Sequence, residues 1–174
     1  MDNISCTIKK TVGDLSLACY MKRKLRIGYH LETIIIFGPK DRAMSKHETP
    51  MTRWYWQQVG GALIEEFVAV KRTSTCGVRI LDGVIIRDGE FRIAKQSEVS
   101  IEGKDIVVIQ TKASRLGMYL MGQAFFSAQL MKRFNPRSVM SVALCSIDDS
   151  VLRPLVEQYP DMKVVVCPET KRKS

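Results

Sequence analysis

The chain offers few ready-made catalytic devices. It has two histidines, His30 and His47, both poorly placed for a serine or cysteine triad, and no G-x-S-x-G elbow. It has no Walker lysine loop and no G-x-G-x-x-G, so nothing marks a phosphate-cradling nucleotide loop. Its five cysteines, Cys6, Cys19, Cys76, Cys145 and Cys167, are odd in number, far apart and free of any C-x-x-C pair. That spacing gives no support to a zinc or iron–sulfur centre, and a reducing cytoplasm is the expected setting. No apolar run reaches the length of a transmembrane helix. Met1-Asp2-Asn3-Ile4 does not open a basic region followed by an apolar core, so no signal peptide is expected.

Acidic residues are also scarce, with 18 Asp and Glu against 27 Lys and Arg, a formal charge of +9. A charge of that sign and size points to a polyanionic partner, most simply nucleic acid, whose neutralised phosphates release counterions. The competing reading is that the excess only aids solubility. The cations concentrate in Lys22-Arg23-Lys24-Leu25-Arg26, in Lys132-Arg133 with Arg137, and in the tail Lys171-Arg172-Lys173. The length of 174 residues suits one domain with a real core.

Hydrophobic patterning divides the chain. Residues 1–50 read as an extension: a short basic helix over 15–26, a strand over 31–37 closed by Gly38-Pro39, and a mobile loop over 40–50. Residues 51–168 read as an α/β domain, and 169–174 as a basic tail. Within the domain, Trp56, Val59, Leu63, Phe67 and Val70 recur at steps of three or four and predict a helix over 54–71, weakened by Gly60-Gly61. On that helix Glu65 points to solvent and Glu66 leans toward whatever the helix packs on. Residues 77–86 predict strand structure around Asp82-Gly83. Asp88-Gly89 predicts a turn after which Phe91-Arg92-Ile93 returns as a hairpin strand. Ile106-Val107-Val108-Ile109 is a continuous β-prone run, expected to be a strand buried on both faces. It ends in Gln110-Thr111-Lys112, and alternation puts Gln110 and Lys112 on the same side.

A second long helix is expected over 115–134, with Leu116, Leu120, Ala124, Ser127, Met131 and Phe134 on one face. Met118, Met121 and Phe125 form another, buried between layers or met by a partner subunit. A strand over 139–147, a short helix over 151–158 capped by the aspartates before it, and a strand over 162–167 complete the chain. The strand–helix–strand passages require parallel pairing.

Asp82, Gln110 and Lys112 are the polar groups at strand ends. A carboxylate there suits magnesium, which takes oxygen ligands and retains several waters. The Gln110 amide oxygen is a weaker, neutral ligand, and Glu66 is a further candidate. A lysine can orient an attacking water or stabilise charge growing on phosphoryl oxygens. Arg115, at the expected helix start, is a candidate phosphate contact.

The run from Trp54 to Ile147 resembles the core of the PD-(D/E)xK, or restriction-endonuclease-like, nuclease superfamily. The resemblance rests on Leu81-Asp82-Gly83 as the acid strand, Gln110-Thr111-Lys112 as the (D/E)xK strand, Gly61 with Glu65 or Glu66 on a preceding helix, and Gly122-Gln123 on the next. It implies a central mixed β-sheet flanked by helices, αβββαβ with an extra C-terminal αβ. It further implies Mg²⁺ or Mn²⁺ held by Asp82, Gln110 and Glu66, and catalysis by these with Lys112. Glu65 and Gln123 would have supporting roles, and Arg115, Lys132, Arg133 and Arg137 would bind nucleic acid. Homodimers are common in that superfamily and would cut both strands. Gln110 departs from the pattern, since the usual acid is here a neutral amide. Two readings follow: a metal-dependent nuclease cleaving DNA, or a catalytically inactive module of the same fold that binds nucleic acid or a protein partner.

Overall fold

A computed structural model describes residues 46–169. The domain is α/β, a six-stranded mixed sheet with helices on both faces. Its elements are α1 (Glu48–Val59), β1 (Ala62–Val70), β2 (Arg79–Ile86), β3 (Arg92–Ile93), β4 (Asp105–Arg115), α2 (Met118–Met131), β5 (Ser138–Ile147), α3 (Leu152–Val156) and β6 (Met162–Val166), with 3₁₀ turns at Gln96–Glu98 and Lys132–Phe134. The strand order is β3-β1-β2-β4-β5-β6. β1, β2 and β4 form an antiparallel set, whereas β4, β5 and β6 are mutually parallel and joined through α2 and α3. These are the parallel passages that the strand–helix–strand pattern requires.

β4 is buried on both faces, as its apolar run demands. Ile106 and Val108 enter the core beneath Met131 of α2. Val107 and Ile109 enter the core beneath Met51 and Trp56 of α1. A further cluster joins Leu120 and Ala124 of α2 to Ala143, Cys145, Val156 and Val164. Cys145 and Cys167 are buried and pack as small apolar groups.

The structure corrects several expected elements. The helix expected over 54–71 begins earlier, at Glu48, and ends at Val59. The domain therefore starts before residue 51, and Glu48, Thr49 and Pro50 are helix rather than loop. Pro50 lies in the first turn, where a missing N–H costs nothing. Gly60 and Gly61, at φ +79° and +80°, stop the helix and turn the chain into β1. Gly60 donates its N–H to the Trp56 carbonyl at 2.8 Å, and the Trp56 indole N–H donates to the Gly61 carbonyl at 2.8 Å. Glu65 and Glu66 consequently sit on a strand, not on a helix face.

The segment after Asp88-Gly89 does not return along β2. One edge of β2 is taken by β1 and the other by β4. Arg92–Ile93 crosses to the free edge of β1 and pairs with it in parallel. Phe91 stacks on Trp56 with ring centroids 4.3 Å apart, so Trp56 is a core anchor. The second helix begins at Met118, three residues after Arg115, which ends β4. One face of this helix is buried, while Met118, Tyr119 and Phe126 stand exposed on it. The helices and strands expected within residues 1–45 lie outside the described residues, as does the tail from residue 170.

The two glycines make the turn testable. Both have backbone conformations that L side chains rarely adopt, and each substitution is expected to cost about 1–3 kcal/mol. Only at Gly61 would a Cβ also meet backbone, 2.3 Å from the Ile86 carbonyl oxygen; at Gly60 nothing lies within 4 Å. Urea unfolding should rank Gly61→Ala as clearly less stable than Gly60→Ala.

Candidate functional site

The site is where β2 and β4 part company. Their ladder runs from Ile86–Ile106 to Gly83–Ile109 and stops there, while β4 continues beside β5 to Lys112–Cys145 and, after a register shift, to Arg115–Ile147. A buried strand cannot leave its N–H groups unpaired. Asp82 meets that need: its Oδ2 accepts the Thr111 N–H at 2.7 Å.

A local irregularity in β1 and β2 accompanies this arrangement. Both strands break period-two alternation at the same level. Ile64 and Phe67 enter the same core cluster three residues apart, as do Leu81 and Val84. Glu66, between Glu65 and Phe67, has φ +48°. The kink therefore falls beside Asp82, since Glu65 pairs with Gly83 and Phe67 with Leu81.

Even and odd residues of β4 face opposite helices. Gln110 is buried and its Nε2 donates to Ser127 Oγ of α2 at 2.8 Å. Thr111 is buried toward α1, with its hydroxyl 2.8 Å from that of Thr52. Alternation returns Lys112 to the Gln110 side, as expected, but the long side chain ends elsewhere. Its Nζ meets Glu48 Oε1 at 3.0 Å. Glu48 opens α1, on the other face of the sheet, so this ion pair forms across the sheet's end. Its side chains are 49% and 23% exposed, and a pair so wet is worth about 1 kcal/mol or less. The half-exposed Lys112 ammonium can therefore be drawn from this pair by a ligand at little cost.

The electrostatics agree with the geometry. Burial pushes the Asp82 carboxyl from the ordinary 3.8 up to about 6; the negative charges of Glu48 and Glu66 add to this, while the Thr111 N–H and Lys112 oppose it. The hydrogen bond and charge of Glu48 raise Lys112, and the nearby Asp82 charge adds to that rise. Asp82, Glu48 and Lys112 thus form one charged group.

The other expected site residues separate into those near this group and those away from it. Glu66 is exposed on β1 and within electrostatic range of Asp82. Glu65 does not point freely to solvent: Arg53 of α1 holds both its oxygens, at 2.7 and 2.9 Å. Gln123 donates its Nε2 proton to the Tyr119 hydroxyl, on its own helix, at 3.3 Å. Arg115 donates to the Asp148 carbonyl at 2.7 Å.

Lys132, Arg133 and Arg137 belong to the opposite end of the sheet. Arg137 binds Asp105, the first residue of β4, and Asp88 at 3.1 Å. From Asp105 to Lys112 is about 23 Å along the strand. The Arg137 and Ser138 hydrogen bonds hold the Asp105 carboxyl well below the usual carboxylate range. The structure does not bring these cations to the candidate catalytic group.

Glu48 is the participant that the sequence reading missed. Its signal was Glu-Thr-Pro at 48–50, an acid followed by proline in a first helical turn. The loop reading of 40–50 concealed it.

Among the described residues, no three or more His, Cys, Asp or Glu side chains cluster so as to hold a metal ion. An all-protein cage is thereby lacking there. One or two carboxylates suffice for magnesium, which keeps several of its waters. Asp82 with Glu48 fits that donor set, and a carboxyl raised chiefly by burial, with neighbouring negative charge adding to it, is one whose charged form a bound cation would favour. Gln110, tied to Ser127, and Glu66, out on β1, are the weaker parts of the expected ligand set.

Asp82 also makes stability depend on pH. Its folded value lies above its unfolded one, so the folded chain holds the proton more tightly. As pH rises from about 4 to about 6 the unfolded chain loses the proton first, stability falls, and above about 6 the loss is complete. Discounted for partial exposure, the effect is on the order of 1–2 kcal/mol. Asp82→Asn retains an oxygen for the Thr111 N–H but does not titrate. In urea unfolding it should be more stable than wild type at pH 8 and nearly equal at pH 4. Equal stabilities at both would refute the raised value.

No family model matches the chain, and no curated protein or solved structure matches it.

Proposed function

We propose that the chain is a divalent-metal-dependent nuclease that hydrolyses DNA phosphodiester bonds. The observation that carries this reading is the meeting of Asp82, Glu48 and Lys112 where β2 and β4 separate. The order α1-β1-β2-β4-α2-β5, with β3 inserted and α3-β6 appended, supports a restriction-endonuclease-like core. It has the acid on the second antiparallel strand and Gln110-Thr111-Lys112 on the third.

Asp82 and Glu48 would hold the cation, with the Thr111 carbonyl a further candidate ligand. A bound Mg²⁺ or Mn²⁺ would supply charge neutralisation at the scissile phosphate and a more acidic water. Lys112, released from Glu48, donates to a phosphoryl oxygen and stabilises the charge that grows there. Thr52 and Thr111 pair their hydroxyls and fix the backbone from which Lys112 projects. Gln110 braces the same strand against α2 through Ser127.

One observation favours the inactive binding module instead. Gln110 is neutral, buried and hydrogen-bonded to Ser127, so it adds no charge toward a metal.

The deciding measurement is cleavage of supercoiled DNA with Mg²⁺ or Mn²⁺. Wild type should nick or linearise it, and Asp82→Ala, Glu48→Ala or Lys112→Ala should each lower the rate by about 10²-fold or more while remaining folded. Wild type that binds DNA but cuts with neither metal would reject the nuclease reading in favour of the module. A second outcome concerns Gln110→Glu, which should tighten metal binding by restoring a carboxylate. Calorimetric titration with Mn²⁺ would show it as a lower Kd than wild type.

A further inference from the structure

The sheet has a basic corner that the obvious charge clusters do not reveal. β1 and β4 run in the same direction and β2 against them. The β1–β2 connection, residues 71–78, therefore projects from the same end of the sheet as Asp82 and Lys112. It begins with Lys71 and Arg72 and leads into Arg79, the first residue of β2. Arg79 lies three residues before Asp82, about 10 Å along the strand.

This loop is unusual in charge and in build. From Phe67 to Leu81 there is no Asp or Glu. Lys71, Arg72 and Arg79 are exposed, and no carboxylate among the described residues pairs with them. Arg137, at the far end, is by contrast neutralised by Asp105 and Asp88. The loop is also longer than the 2–5 residues that usually close a hairpin, yet it is internally braced. Thr73 Oγ1 accepts the N–H groups of Thr75 and Cys76 at 3.2 and 3.1 Å, and the Thr73 N–H donates to the Cys76 carbonyl at 2.9 Å. Arg79 folds over Gly77, with a guanidinium nitrogen 2.9 Å from where a Cβ would stand, and donates to the Val78 carbonyl at 3.0 Å. A braced backbone with outward cations loses little entropy on meeting a polyanion.

From this we infer that the β1–β2 hairpin is the DNA-holding element of the protein. Lys71, Arg72 and Arg79 contact backbone phosphates of a duplex on the flank of the phosphate that occupies the Asp82–Lys112 site. The assignment rests on the nuclease reading for the position of that central phosphate. It requires no sequence preference, because contacts of cations with phosphates position a duplex without reading its bases. It also makes the hairpin, rather than Lys132, Arg133 and Arg137, the main cationic contact of the domain.

The test is binding of a short DNA duplex by the full chain in EDTA, followed by fluorescence anisotropy over a range of salt concentrations. Each lost phosphate contact should flatten the slope of log K against log salt by about 0.9. The triple variant Lys71→Ala/Arg72→Ala/Arg79→Ala should therefore flatten it by about 2–3, and Lys71→Gln/Arg72→Gln, which leaves the Arg79–Gly77 packing intact, by about 2. Lys132→Ala/Arg133→Ala should leave the slope within about 0.5 of wild type. An unchanged slope in both hairpin variants, or a larger loss in the Lys132/Arg133 variant, overturns the inference. No salt-dependent binding by the wild type overturns it as well. The readout needs no cleavage: binding through the hairpin without cutting would sink the nuclease reading alone, and cutting with an unchanged slope would sink only this one.

Discussion

The hydrogen bond from the Thr111 N–H to the Asp82 carboxylate, 2.7 Å long, is the interaction on which the site depends. β4 is buried on both faces, and in such a place an unpaired N–H costs roughly as much as a lost hydrogen bond. Where β2 veers away after Gly83–Ile109, a side chain must take over from a backbone carbonyl. Asp82 does so, and is thereby drawn into partial burial close to the Lys112 end of β4.

Charge then organises the group. A carboxyl held by burial near pH 6 sits in a field made by Glu48, Glu66 and Lys112. The Lys112–Glu48 contact lies in water and is weak, so it serves as a latch more than a strut. The two-point contacts lie elsewhere: Arg53 holds both oxygens of Glu65 and ties α1 to β1, and Arg137 with Ser138 holds Asp105 at the start of β4.

Much of the framework could be read from local pattern. The run from Ile106 to Ile109 announced a doubly buried strand, and the alternation that followed put Gln110 and Lys112 on one side of it. The parallel passages through α2 and α3 follow from chirality and connection length. The region from Glu48 to Val70 could not be read this way. Leu63 and Phe67 are four apart, as on a helix face, yet they enter opposite core clusters because the kink at Glu66 breaks the alternation of β1, so periodicity pointed to the wrong element. Gly60 and Gly61 decided it, and their left-handed conformations are held by hydrogen bonds to Trp56. The error carried Glu65 and Glu66 onto the wrong element and hid Glu48.

By itself, the sequence determined which segments must be buried, which must pair in parallel, and that the chain carries a large positive excess. These follow from side-chain polarity and backbone geometry over short windows. Only the tertiary structure decided which charges meet. The strand order β3-β1-β2-β4-β5-β6 brings Glu48, Asp82 and Lys112 to one end, together with the β1–β2 hairpin. It sends Lys132, Arg133 and Arg137 to the other end. The physical reason is that Coulomb interactions fall with distance in space and not along the chain.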